Sequence, residues 1–208
     1  MTAKDIPSLE IENSYYQKGY NLIAGIDEAG RGPIAGPVVA AAVIIDKNNI
    51  PDGINDSKKI SAKRREQLFS DIMQNFIVGI GVSDVDKIDT INILNATKYS
   101  MVQACKSLKI IPHLLLIDGN FTIAIDIENK PIIKGDTKSI SIAAASIVAK
   151  VVRDRIMYKF ANLYEDYHFE QNQGYPTKAH LEIIQKIGIC PIHRKSFSPI
   201  CSLLKNKI

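Results

Sequence analysis

Apolar positions along the chain fall into short continuous runs, as buried strands make, and longer stretches where they recur every three or four residues, as helices make. Asn21–Asp27 (NLIAGID) and Val38–Asp46 (VVAAAVIID) are two such runs, separated by the glycine-rich segment 28–36, and Phe76–Ser83 (FIVGIGVS) predicts a third strand. Before that third run, Ser61 is placed to cap a helix through Lys63, Leu68, Ile72 and Phe76, with its basic KRRE turns directed to solvent. A second helix is predicted over Ile91–Leu108, then a strand at His113–Asp118 (HLLLID) and the turn signal Gly119-Asn120. The longest helix is predicted over Ser141–Tyr164; its small-residue opening, SIAAASIVAKVV, suits close packing on a sheet. Gly174-Tyr175-Pro176-Thr177 breaks the chain, Thr177 caps a last helix to Ile187, Gly188 ends it, and the tail from Pro191 onward reads as short, basic and irregular. The alternation predicts an α/β fold. Residues 1–19 read as a polar, irregular extension, with structure beginning near Asn21; 20–208 read as one domain whose C-terminal helical part starts at about 165.

Composition narrows the class without choosing a function. A chain of 208 residues suits one domain, able to bury roughly 70% of its unfolded surface. The net charge of +4 permits contact with phosphate polyanions but does not demand it. Cys105, Cys190 and Cys201 are odd in number and lack CxxC spacing, which argues against a disulfide framework or a zinc site. The first twenty residues carry no basic segment leading into an apolar one, and no apolar run reaches the roughly 20 residues that span a bilayer. A soluble protein of the reducing cytoplasm, without a membrane partner, is expected.

Chemistry enters with the acids at element ends. Asp27-Glu28 closes the first strand, Asp118 closes the fourth, and Asp136, in Lys134-Gly135-Asp136, precedes the long helix. Side chains at the ends of rigid elements can point into a cleft. Adjacent strand residues point to opposite faces, so Asp27 and Glu28 are expected to share a site only if Glu28 already lies in the turn. A lone Asp at a strand end is more often a turn or cap residue. Four that converge repel one another by about 1 kcal/mol per pair in water, more in a lower dielectric, and need cations between them. All-oxygen ligands suit Mg²⁺ or Mn²⁺, and a pair of such ions serves phosphodiester cleavage.

The loop Glu28–Gly36 contains GxG but neither GxGxxG nor the Gly-Lys-Ser/Thr of a P-loop, so it is no nucleotide-cofactor fingerprint. Its glycines allow close backbone approach to a ligand, and Arg31 between them offers a fork of donors. Together GIDEAGRGPIAGPVVAAAVI, NDSKKIS, LLIDGN, KGDTKSISIAAASIVAKVVRDR and GYPT, in this order over Ile23–Phe197, resemble the bacterial ribonuclease HII family. Gly-Arg-Gly at 30–32 separates the match from ribonuclease HIII.

The resemblance implies an RNase H-like fold, a mixed central β-sheet flanked by helices with a small C-terminal helical region. It implies Asp27, Glu28, Asp118 and Asp136 as catalytic metal ligands in a two-metal Mg²⁺ or Mn²⁺ site. Gly30, Arg31 and Gly32 would contact the ribose 2′-hydroxyl and nearby backbone, and Tyr175 would stack on the next sugar. The implied substrates are RNA·DNA hybrids and duplex DNA with an embedded ribonucleotide, nicked to leave 5′-phosphate and 3′-hydroxyl. Lys58, Lys59, Lys150 and Arg153 are candidates for backbone phosphates. Asp154 reads as a helix-surface ion pair, His180 and His193 as structural, and Tyr158, Tyr164 and Tyr167 as packing of the C-terminal helices. A monomer is expected, no sliding-clamp motif is apparent, and no functional residue is expected beyond Cys190. Two other readings stay open: another RNase H-like nuclease of junction-resolvase type, and a non-catalytic nucleic-acid-binding module.

Overall fold

The apolar runs become neighbouring strands of one mixed sheet. In the computed structural model, which describes residues 6–205, these are β1 (Ile23–Ala29), β2 (Val38–Ile44), β3 (Ile77–Ser83), β4 (Leu114–Asp118) and β5 (Glu128–Ile132). Their order is β3-β2-β1-β4-β5. β1 is antiparallel to β2 and parallel to β4, and β4 is parallel to β5. β1 and β2 are central and covered on both faces, which is why they read as continuous apolar runs. β5 was not expected: ENKPI is half exposed and contains Pro131, a composition tolerated at a sheet edge.

Helices cover both faces. On one lie α2 (Ala62–Asn75) and α4 (Ile140–Leu163), packing Leu68, Ile72, Ala144 and Val148 against Ala41 and Val43. On the other lies α3 (Val85–Lys106), with Met101 and Ala104 against Ile26, Ala40, Ala42 and Leu115. Ser61 caps α2 as expected, its hydroxyl accepting from the Arg64 amide. α3 starts earlier than expected, capped by Asp84, and is interrupted at Asn92, where φ is 64°. Asn tolerates this left-handed conformation, and its Oδ1 re-caps the helix by accepting from Asn95 N at 3.1 Å.

Close approach of α4 to the sheet requires Gly25, because a Cβ there would collide with the backbone of Ser141 and Ile142. Gly79 and Gly81 play the same part under α3, against the carbonyls of Ala104 and Ser100. Small residues on both partners thus set the spacing of the layers.

The two chain ends depart from expectation. Structure begins well before Asn21: α1 (Glu10–Tyr16) is a helix whose Glu12 is fully buried. Glu12 Oε1 accepts from Ser139 Oγ at 2.6 Å, Ser141 Oγ at 2.7 Å and Ser141 N at 2.9 Å, a carboxylate at the start of α4 where helix amides are unsatisfied. After α5 (Phe169–Asn172) and α6 (Lys178–Ile187), the tail expected to be irregular forms α7 (Ile200–Lys205), because Ile200 is buried beside Ile34, Met157 and Phe169. Among the described residues no helix is long and apolar enough to cross a membrane.

Gly25→Ala should cost about 3 kcal/mol or more, since rigid backbone rather than a flexible side chain receives the methyl, and lower the melting temperature by about 6–12 °C. Thermal unfolding followed by circular dichroism checks this.

Candidate active site

Three strand and turn ends deliver the acids. Asp27 lies in β1, Asp118 ends β4 beside it, and Asp136 sits in the short 3-10 turn Gly135–Thr137 that leads into α4. One carboxylate oxygen from each of Asp27, Asp118 and Asp136 lies within 4.8 Å of the others. Parallel pairing of Ile26 with Ile117 puts Asp27 and Asp118 at the same level of the sheet. Asp118 Oδ1 accepts from Gly135 N at 2.6 Å, which ties the turn carrying Asp136 to the end of β4.

Glu28 was expected to share this site by lying in the turn, and the structure corrects that placement: Glu28 stays in the strand. β1 continues to Ala29, Glu28 pairs with Ala40, and adjacent residues alternate faces. Its Oε1 accepts from Arg31 Nη1 at 3.1 Å, while its buried Oε2 has no hydrogen-bond partner. Glu28 nevertheless remains within electrostatic reach of Asp118.

Crowding and burial leave the acids short of compensation. Burial, then the charges of Glu28 and Asp118, hold the Asp27 carboxyl well above the usual range, despite the hydrogen bond it accepts from the Glu28 amide and the nearby Ser146 hydroxyl. Burial also raises Glu28, offset in part by Arg31, and raises Asp136, helped by Asp118 and Asp56. Burial works against the Lys58 ammonium, but Asp56, Asp27, Asp136 and Asp118 together hold its pKa above the ordinary value. Converging carboxylate oxygens, raised pKa values and the orphaned Oε2 of Glu28 fit a hard divalent cation.

A cleft of about 320 Å³ beside the acids is lined by Gly30, Arg31, Gly32, Lys58 and Tyr175, together with Glu28 and Ser146. Tyr175 is 45% exposed. A methyl group at Gly32 would meet Tyr175 Cε1 at 3.6 Å, an ordinary contact, so that glycine is not needed for packing. Arg31 lies over the Phe121 ring, 5.9 Å from its centre.

Other expected contacts resolve differently. Lys59 is exposed and Lys150 lines the cleft, paired with Asp154 at 2.6 Å. Arg153 is corrected as a phosphate contact: it is 1% exposed, and its donors go to the carbonyls of Pro37, Ala35 and Gln173. Asp154 forms ion pairs, but with Lys150 and Arg65. His180 and His193 are buried, with ring nitrogens 3.1 Å apart, and burial pushes His193 down to about 4, a packing role. Tyr164 and Tyr167 pack in the C-terminal cluster, whereas Tyr158 is 60% exposed and does not.

Arg194 went unnoticed in the sequence, in the tail where no functional residue was expected. It is fully buried, and its guanidinium donates to the carbonyls of Gly30, Arg31 and Gly36. Burial, then repulsion from Arg153, pushes its pKa down to about 9, which still leaves it charged at neutral pH. No sequence spacing links positions 158 to 164 residues apart.

Residues 24–200 match the family model described as Ribonuclease HII. The chain is 55% identical over 188 residues to ribonuclease HII of Acetivibrio thermocellus and 54% identical over 187 residues to that of Clostridioides difficile. These alignments cover 90% and 89% of this chain, and 73% of each relative. Among solved structures, ribonuclease H2 of Pyrococcus horikoshii superposes with a TM-score of 0.73 at 29% identity, covering 89% of this chain and 98% of the other.

Because Asp27 has a folded-state pKa above its unfolded value, the folded chain binds the extra proton and stability falls as pH rises through that window. Asp27→Asn should therefore raise the melting temperature at pH 8 in EDTA by about 2–4 °C for each kcal/mol of repulsion relieved. Mg²⁺ should stabilise the wild type and not the variant. Thermal shift with and without Mg²⁺ measures both.

Proposed function

The chain belongs to the ribonuclease HII family and is a ribonuclease H endonuclease, and from that premise we propose how it selects and cuts its substrate. It hydrolyses the RNA strand of RNA·DNA hybrids and nicks duplex DNA 5′ to single ribonucleotides, leaving 5′-phosphate and 3′-hydroxyl. The observation that carries this reading is the convergence of Asp27, Asp118 and Asp136 within 4.8 Å beside a cleft lined by Gly30, Arg31 and Gly32.

Asp27, Asp118 and Asp136, with Glu28 beside them, would hold Mg²⁺ or Mn²⁺. Such ions supply activation of a water and stabilisation of the leaving oxygen in phosphodiester hydrolysis. The chain's own residues supply position. Lys58 lies within the electrostatic field of the acids and lines the same cleft, where it would balance a substrate phosphate. The backbone of Gly30, Arg31 and Gly32 would meet the 2′-hydroxyl, the one group that separates ribose from deoxyribose. The exposed ring of Tyr175 would stack on the neighbouring sugar.

On duplex DNA with one ribonucleotide, metal-dependent nicking immediately 5′ to it is expected, abolished by EDTA. Asp118→Asn should lower kcat by about 1000-fold, the equivalent of several kcal/mol. Cleavage of branched DNA without any ribonucleotide would point instead to a junction-resolvase activity, and metal-independent binding without cleavage to a binding module.

Gly32→Ala separates fold from function. With space for the methyl group, its melting temperature should stay within about 2 °C of wild type. Its kcat/KM on the one-ribonucleotide duplex should fall by about tenfold or more as close backbone approach is lost.

A further inference from the structure

The glycine-rich loop is held from inside by two buried cations that, among the described residues, form no ion pair with a carboxylate. Arg194 Nη2 donates to Gly30 O at 2.6 Å and to Gly36 O at 2.8 Å, Nη1 to Arg31 O at 3.1 Å, and Nε to Gly36 O at 2.9 Å. Arg153 takes the carbonyls of Ala35 and Pro37 from the other side. The backbone around Arg194 is pinned to the same loop: Arg194 N donates to Ile34 O, and Gly36 N to Ile192 O.

A trans peptide is planar, so its N–H points opposite to its C=O. With the carbonyls of Gly30 and Arg31 turned inward onto Arg194, the amides of Arg31 and Gly32 must turn outward. Arg194 is fully buried and Arg31 and Gly32 line the cleft, so outward is toward the cleft. Among the described residues neither amide donates to a backbone or side-chain acceptor. The charged fork also polarises both peptides, which strengthens their outward donors.

We propose that Arg194 is a positioning residue for ribose recognition: it fixes the two peptides of Gly30-Arg31-Gly32 so that their amides donate to the substrate's 2′-hydroxyl. This rests on the reading of that loop as the ribose contact. Lysine cannot replace it, because one ammonium does not span three carbonyls in a planar fork.

The experiment compares wild type with Arg194→Lys in three measurements: kcat/KM on a duplex with one ribonucleotide, the inhibition constant of the matching all-DNA duplex, and Mn²⁺ binding by calorimetry. In the variant kcat/KM falls by about tenfold or more, the equivalent of one hydrogen bond. The other two stay within about twofold, whereas a generally loosened fold would move all three. Unchanged kcat/KM in a folded variant overturns the inference. Wild type that ignores the ribonucleotide overturns the loop reading first, and this inference with it. If Arg194→Lys does not fold, amide hydrogen exchange in wild type decides. The Arg31 and Gly32 amides should exchange freely alone and be protected by the ribonucleotide duplex but not by all-DNA duplex; protection in the free protein overturns the inference.

Discussion

Everything in the site hangs on how closely α4 lies against β1. Contact at Gly25 leaves no room for a methyl group, so helix and strand are held at backbone separation. From that seat one rigid rod serves several sites. The turn that opens it carries Asp136, Ser146 sits beside Asp27, and Arg153, roughly 10 Å further along by helical rise, reaches the carbonyls of the glycine-rich loop. A shift of the helix along the strand would move all three together.

Charges of opposite sign are buried in neighbouring places for opposite purposes. The carboxylates repel one another and are held close by β1, β4 and the 3-10 turn. The guanidiniums of Arg153 and Arg194 are surrounded by carbonyls, which satisfy their donors without cancelling their charge. Burying uncompensated charge costs stability. Apolar layers on both faces of the sheet, from Leu68 and Val148 on one side to Met101 and Leu115 on the other, offset that cost.

Both ends of the chain fasten the middle. Glu12 holds the start of α4 through Ser139 and Ser141, and a backbone bridge joins Ser8 to Ser139, three residues after Asp136. At the other end, a bridge between Ala35 and His193 sets Arg194 under the loop. These long-range ties turn loops into fixed geometry, which is what a site needs when it must hold like charges together.

Patterning alone placed strands at 21–27, 38–46, 76–83 and 113–118, each overlapping an observed strand, together with the long small-residue helix and the caps Ser61 and Thr177, because periodicity and capping are local properties. Asp27, Asp118 and Asp136 stood out as acids at element ends, and Gly30-Arg31-Gly32 and Tyr175 as a distinct loop and turn. What only the tertiary structure decided was pairing across distance. That Glu28 stays in β1 and turns to Arg31, that Arg153 is consumed by carbonyls, and that Glu12 and Arg194 are buried anchors all depend on contacts over many residues. A buried charged residue and a solvated one are the same letter in the chain, and burial, which no local pattern encodes for an isolated charge, assigns their roles.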